Sequence, residues 1–289
     1  MKNMVTNLKY WIAILCLTVL GIYLFASAPE KLPDTTSGGS SVIPAEKAIA
    51  ILAAEQSAIR GLYTREIVAT GLKSGLKFSE LWKDENVHAG PLPALLLRET
   101  SNRMFIKSPD LSFFLGSDYP IVKENLFDSE QMKHFAELKR TGKPVFFYDN
   151  KLKRVVGMFP DFASGQACVT CHNEHKTSPK KDWKLNDIMG ATTWSYTEKN
   201  MSAEDLAILI KNLRQSSYES YASYIDKVKK FNKNEMVTIG NKWPSEGKYL
   251  PDVKTFEQVV EKNNSGQTLT SLLSIYDQGS QSADIGKSK

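Results

Sequence analysis

Residues 145–172 read VFFYDNKLKRVVGMFPDFASGQACVTCH, and the reading of this stretch decides the fold. Val145-Phe-Phe-Tyr148 and Val155-Val156-Gly-Met-Phe159 are short runs of β-branched and aromatic residues, with Asp149-Asn150 as a turn between them. That pattern predicts an antiparallel hairpin. About ten residues later, in a Gly- and Ser-containing loop, stands Cys168-Val-Thr-Cys171-His172. Two thiols about one helical turn apart can add to the vinyl groups on one edge of a porphyrin. A histidine directly after them can swing under the ring and ligate the iron. C-x-x-C-H is the attachment sequence of c-type haem. A disulfide would need no following histidine, and a C-x-x-C zinc site would need a second pair of ligands. Cys16, the third cysteine, lies in an apolar run and cannot complete one. Cys168 and Cys171 are therefore expected to hold one covalent haem c, with His172 as the proximal iron ligand.

Working outward from this stretch, the period upstream is helical. Residues 44–73 start on a proline and carry Ile49, Leu52, Ile59, Leu62, Ile67 and Val68 at three- and four-residue steps, which predicts one long helix. A polar loop from Lys83 to Gly90 follows, then a second helix over about 94–104. Ser129 is expected to open a third helix, closed by Gly142 and Pro144. Downstream, Asp187 to Tyr196 reads as a returning strand. Ser202, with Asp205 three residues on, starts a helix running to about Phe231. Its stripe of Leu206, Leu209, Ile210, Leu213, Tyr221, Tyr224, Ile225 and Val228 predicts core packing, with a homodimer face as the alternative. Residues 253–262 and 268–276 look helical. Together these predict an α+β fold around a small antiparallel sheet, with a long N-terminal helix and a helical C-terminal extension. The expected divisions are a haem domain over 44–199, the extension over 200–278 and a disordered tail over 279–289.

The N-terminus carries a second signal. Lys2 and Lys9 precede the apolar run Trp11–Phe25, and Ala26-Ser27-Ala28 matches a cleavage site. Residues 1–28 are expected to be a signal anchor or a cleaved signal peptide, followed by a flexible linker over 29–43. The expected location is the periplasmic side of the inner membrane if anchored, or the periplasm if cleaved. Haem attachment by this motif occurs outside the cytoplasm, so the two signals agree. The net charge of +5 is spread among both signs, and nothing argues for nucleic acid. Lys176, Lys180, Lys181 and Lys184 follow the motif as a solvated face, or as a weak dock for an acidic redox partner.

A sixth iron ligand would come from His, Met or Lys, or be water. His88 in the loop before the second helix, Met104 at that helix's end and Met158 on the strand leading to the motif are the candidates. His175 is expected to face away from the iron, and His134 to be exposed. A methionine ligand suits electron transfer, and an open site suits gas binding. A haem enzyme would also need a distal acid/base pair, and no local motif supplies one.

Residues 45–198 resemble a bacterial family of single-haem, PAS-like domains, described as c-type haem family proteins. The matching pieces are Leu62-Tyr-Thr-Arg65, Pro91-Leu-Pro-Ala-Leu-Leu-Leu-Arg98, Lys143-Pro-Val-Phe-Phe-Tyr148, the attachment motif and Ile188-Met-Gly-Ala-Thr192. The resemblance implies a PAS-like fold and redox or gas (NO, CO, O₂) sensing. At least one soluble member takes its second axial ligand from a cysteine on the first long helix, but residues 44–73 here hold no Cys, His or Met. No kinase, cyclase or coiled-coil pattern is expected after residue 200, so a sensor would report to a redox or signalling partner. The alternative is a monohaem periplasmic electron-transfer cytochrome.

Overall fold

The run of buried residues Val155–Met158 in the second hairpin strand, covered on both faces, lies at the centre of the fold. The computed structural model describes residues 42–232 and 235–266, together with 11, 18, 268 and 270. The expected leader or anchor, most of the linker, most of the last helix and the tail lie outside the described residues. Among the described residues, no helix is long and apolar enough to cross a membrane.

Four strands form one antiparallel sheet: β4 (Leu111–Gly116), β5 (Val145–Asp149), β6 (Arg154–Phe162) and β7 (Ile188–Tyr196), in the order β4-β7-β6-β5. β4 is an addition to the sequence reading. Its run LSFFLG buries Leu111 and Phe113 but does not alternate strictly. Three short pairs complete the strands: β1 (Val42–Pro44) with β8 (Asn200–Ser202), β2 (Phe78–Ser79) with β3 (Gly90–Pro91), and β9 (Thr238–Gly240) with β10 (Tyr249–Pro251).

Helix α1 runs as α-helix over Ala45–Leu62, widens to π-helix over Tyr63–Ala69 and closes as α-helix over Thr70–Lys73. The expected span is right, but the change of pitch left no mark in the hydrophobic pattern. Thr64 donates its hydroxyl back to the Arg60 carbonyl at 2.7 Å, an alternative to a regular ladder bond. α2 spans Pro93–Lys107 with proline in its first turn. α3 spans Ser129–Thr141, and its cap is Asp128, one residue before the expected Ser129. Asp128 and Gln131 form a reciprocal capping box, and Gly142 ends the helix at φ 66°, a left-handed position that suits glycine.

The sheet has a helix on each face. One side of β6 and β7 gives Val155 and Trp194 to a cluster with Ile49 and Leu52 of α1, and Phe113 stacks on Trp194 at 4.1 Å between centroids. The other side gives Val156, Met158 and Ala191 to Phe135 and Leu138 of α3. α5 (Ala203–Val228) starts on Ser202, whose hydroxyl accepts from the Asp205 amide at 3.0 Å. A further helix covers 253–266.

Packing runs across the position expected to divide the haem domain from the extension, 199/200. Leu206, Leu209, Ile210 and Leu213 of α5 belong to the core cluster under the sheet. A second cluster joins Tyr63 and Ile67 to Tyr221, Tyr224, Phe256 and Val260. Between them lies a buried polar tie. The Glu55 side chain, 1% exposed, accepts from Arg214 Nε at 2.6 Å and from Asn264 Nδ2 at 3.1 Å. Thr268 also donates to this carboxylate.

Removing one partner of such a pair strands the other charge away from water. Glu55→Ala should lower unfolding stability by about 3 kcal/mol in urea titration, most of it from the uncompensated Arg214. A loss below about 1 kcal/mol would show that the tie is dispensable.

Candidate cofactor-attachment site

The attachment motif forms a short helix rather than the expected loop. α4 spans Gln166–Glu174, with Gly165 in extended backbone before it. Positions three and four apart share a helix face, so Cys168, Cys171 and His172 stand on neighbouring turns. Both cysteines are free; Cys171 is exposed and Cys168 half-buried. Val169 roots the helix in a small apolar cluster with Ala163, Trp183 and Met189, and Cys168 packs against its edge.

Backbone pairing joins the segment just before this helix to the segment just before the returning strand. The Ala163 amide donates to the Asp187 carbonyl at 2.8 Å, and the Asn186 amide to the Ala163 carbonyl at 3.0 Å. Asn173 acts as a clamp. Its Nδ2 donates to the Trp183 carbonyl at 3.0 Å, and its Oδ1 accepts from the Trp183 amide at 2.9 Å. The residue next to the proposed ligand is thus fixed from both ends of its amide.

Burial depresses the His172 pKa below the ordinary histidine value, with His175 adding to the effect while Asp161 and Glu80 oppose it. The imidazole is therefore neutral near pH 7, the form that ligates a metal. Burial also pushes the Cys171 thiol up, assisted by Glu80, Cys168 and Glu174. His172 Nδ1 is buried without a hydrogen-bond partner. Phe162, at the end of β6 beside Asp161, is 44% exposed. Two free thiols on one helix face, a neutral imidazole with an unpartnered nitrogen and an uncovered aromatic at the adjoining strand end all fit a covalently held porphyrin.

The other candidate residues fall elsewhere. His88 Nδ1 pairs with Glu235, and its ring packs on Phe231 at 5.0 Å between centroids. It lines a cavity of about 200 Å³ with Leu76, Tyr224 and Val237. Met104 is fully buried in the core with Phe113 and Trp194. Met158 is fully buried against α3. None of the three belongs to the apolar cluster around α4; the methionine that does is Met189. His175 does keep to its own partners: its Nδ1 accepts from the Thr177 amide at 3.3 Å and its Nε2 lies 3.4 Å from Glu80. His134 is not exposed as expected; its ring stacks on Phe147 at 3.7 Å. Among the described residues, no group of three or more His, Cys, Asp or Glu is arranged to hold a bare metal ion.

These features define an α+β domain with a C-x-x-C-H helix set at the end of a four-stranded sheet. The Tll0287-like family profile (Tll0287) matches residues 43–197, more than half of the chain, and the chain belongs to that family. No curated protein and no solved structure matches it.

The sequence reading missed Asn173, Trp183, Met189, Asp161 and Arg60 as neighbours of the site. Asn173 adjoins the motif, but its clamp on Trp183 is made across ten residues of loop. Arg60 and Asp161 are paired across 101 residues, a distance no local pattern reports. Asn173→Ala should loosen the loop that carries Lys176, Lys180, Lys181 and Lys184. Limited trypsin digestion of the native protein should then cut within 176–184 several-fold faster than in wild type, and an equal rate would refute the clamp.

Proposed function

We propose that the protein is an extracytoplasmic monohaem c-type cytochrome with a PAS-like domain, which senses redox state or a diatomic gas and reports to a protein partner. One observation carries the reading: Cys168, Cys171 and a neutral His172 stand on adjacent turns of one helix, and the imidazole keeps a buried nitrogen free of protein partners. Membership of the Tll0287-like family supports it. Residues 1–28 anchor the protein to the membrane or are cleaved on export, and residues from 29 on lie outside the cytoplasm.

The chain's own residues prepare the site. Cys168 and Cys171 would hold a haem through thioether links, each S–H adding across one vinyl group, so both linkages would need no oxidant. A haem held there would supply a one-electron iron couple and could take an exchangeable or weak ligand. Burial keeps His172 neutral for ligation, and the Asn173 clamp holds the helix to the Trp183 loop. The candidate distal residues His88, Met104 and Met158 are all engaged elsewhere, which favours an exchangeable distal position.

The spectrum of the ferric and ferrous protein, with and without CO and NO, tests this. Ferrous protein should bind CO or NO with a Soret shift, and His88→Ala should leave the coordination unchanged. A ferrous protein that stays six-coordinate and ignores both gases at saturation would replace gas sensing with electron transfer or redox sensing. Cys168→Ala combined with Cys171→Ala should yield protein that loses its haem in acid–acetone, whereas wild type keeps it.

A further inference from the structure

The cavity of about 200 Å³ beside His88 is built where residues inside the family match meet residues beyond it. Backbone bonds fix its walls. The Gly90 amide donates to the Lys77 carbonyl at 2.8 Å, and the Thr238 amide to the Lys248 carbonyl at 3.0 Å. Part of the lining is apolar. Leu76 is 6% exposed in the cluster that holds Tyr224, and Phe231 and Val237 pack against that cluster. Glu235, the carboxylate that borders this space, is already engaged. It accepts from Lys77 Nζ at 2.7 Å and pairs with His88 Nδ1, and these two partners hold its carboxyl below the ordinary range.

Two polar groups of the lining are left over. Tyr224 is 1% exposed, and its hydroxyl has no hydrogen-bond partner among the described residues. Burial raises its pKa, so it stays a protonated donor. Lys248 has no ion-pair partner among the described residues. Its side chain lies over Gly75, where an added Cβ would meet Lys248 Cε at 3.0 Å, with Nζ at 3.9 Å. Gly75 takes φ 86°, a left-handed backbone that suits glycine and leaves this space to the lysine stem. A buried donor without an acceptor is unfavourable, and an ammonium with a carboxylate forms one of the stronger hydrogen bonds. An apolar cavity of about 150 Å³ accepts benzene. The space here therefore has room for a ring or a short chain with one carboxylate.

We propose that this cavity binds a small monocarboxylate, its carboxylate held by the Lys248 ammonium and the Tyr224 hydroxyl and its apolar ring or chain set against Leu76, Phe231 and Val237. The site is independent of the haem reading. Gly75 and Leu76 come from inside the family match, and Tyr224 and Lys248 from beyond it, so the ligand bridges the two.

Isothermal titration calorimetry of the full chain tests this, with sodium benzoate as the probe and benzamide as its uncharged counterpart. Benzoate should bind saturably at one site, and benzamide about tenfold or more weaker, for want of a charge-assisted bond. Lys248→Gln should weaken benzoate by a similar factor and leave thermal unfolding of the ligand-free protein unchanged. Tyr224→Phe keeps the packed ring and should weaken benzoate several-fold; if that variant does not fold, Lys248→Gln decides. No saturable binding of benzoate, nor of hexanoate as a flexible probe, overturns the inference. Benzamide binding as tightly as benzoate overturns it too. An unchanged benzoate affinity in Lys248→Gln does the same, because the carboxylate would then be held elsewhere, at the iron for example.

Discussion

Ile49 lies directly on Gly157, and that close contact sets the first long helix across the sheet. A Cβ at position 157 would sit 3.1 Å from Ile49 Cγ2 and 2.9 Å from Phe146 Cε1. Both approaches are tighter than ordinary packing, so a larger residue would push helix and sheet apart. From this contact α1 runs as a single rod. About two turns on it brings Glu55 to Arg214, Asn264 and Thr268, and a further turn and a half on it brings Arg60 to Asp161. The sheet, the C-terminal helices and the surroundings of His172 are therefore referenced to one element.

The widening of α1 over Tyr63–Ala69 falls just beyond Arg60. Insertions of this kind rotate the following side chains relative to a regular helix, and they are frequent at functional sites. Here the widened segment turns Tyr63 and Ile67 into the cluster shared with α5 and the 253–266 helix, and the Tyr63 hydroxyl donates to the Pro91 carbonyl at 2.7 Å. Arg60 on this helix pairs with Asp161 at the end of β6, and the same helix is tied by Glu55 to the C-terminal helices. Through it the end of β6 and the C-terminal helices, which lie outside the family match ending at residue 197, are held by one element.

Much of this was legible in the order of the residues. The helix over 44–73, the hairpin, the returning strand and the start of α5 at Ser202 follow from periodicity, capping and turn chemistry. β4 was not legible because LSFFLG lacks the alternation that marks a half-buried strand. The core packing of the α5 stripe was legible, but which elements it packs against was not, because an apolar stripe shows that a face is covered without showing by what. Within the site, Cys168, Cys171 and His172 are a local pattern and can be read directly. Arg60 and Asp161 meet only after the chain has folded, and the loop position of His88 gave no hint of its pairing with Glu235. Tertiary partners of single polar residues are the part that sequence spacing does not encode.

The central claim is that α4 carries a haem joined through both thiols. The pyridine ferrohaemochrome spectrum of the purified protein tests it most directly, because the position of its α-band reports how many vinyl groups remain on the porphyrin. The account predicts the band of a haem with no free vinyl group, retained on the polypeptide after denaturation. A band at the position of free protohaem, or no haem on the denatured chain, would contradict it.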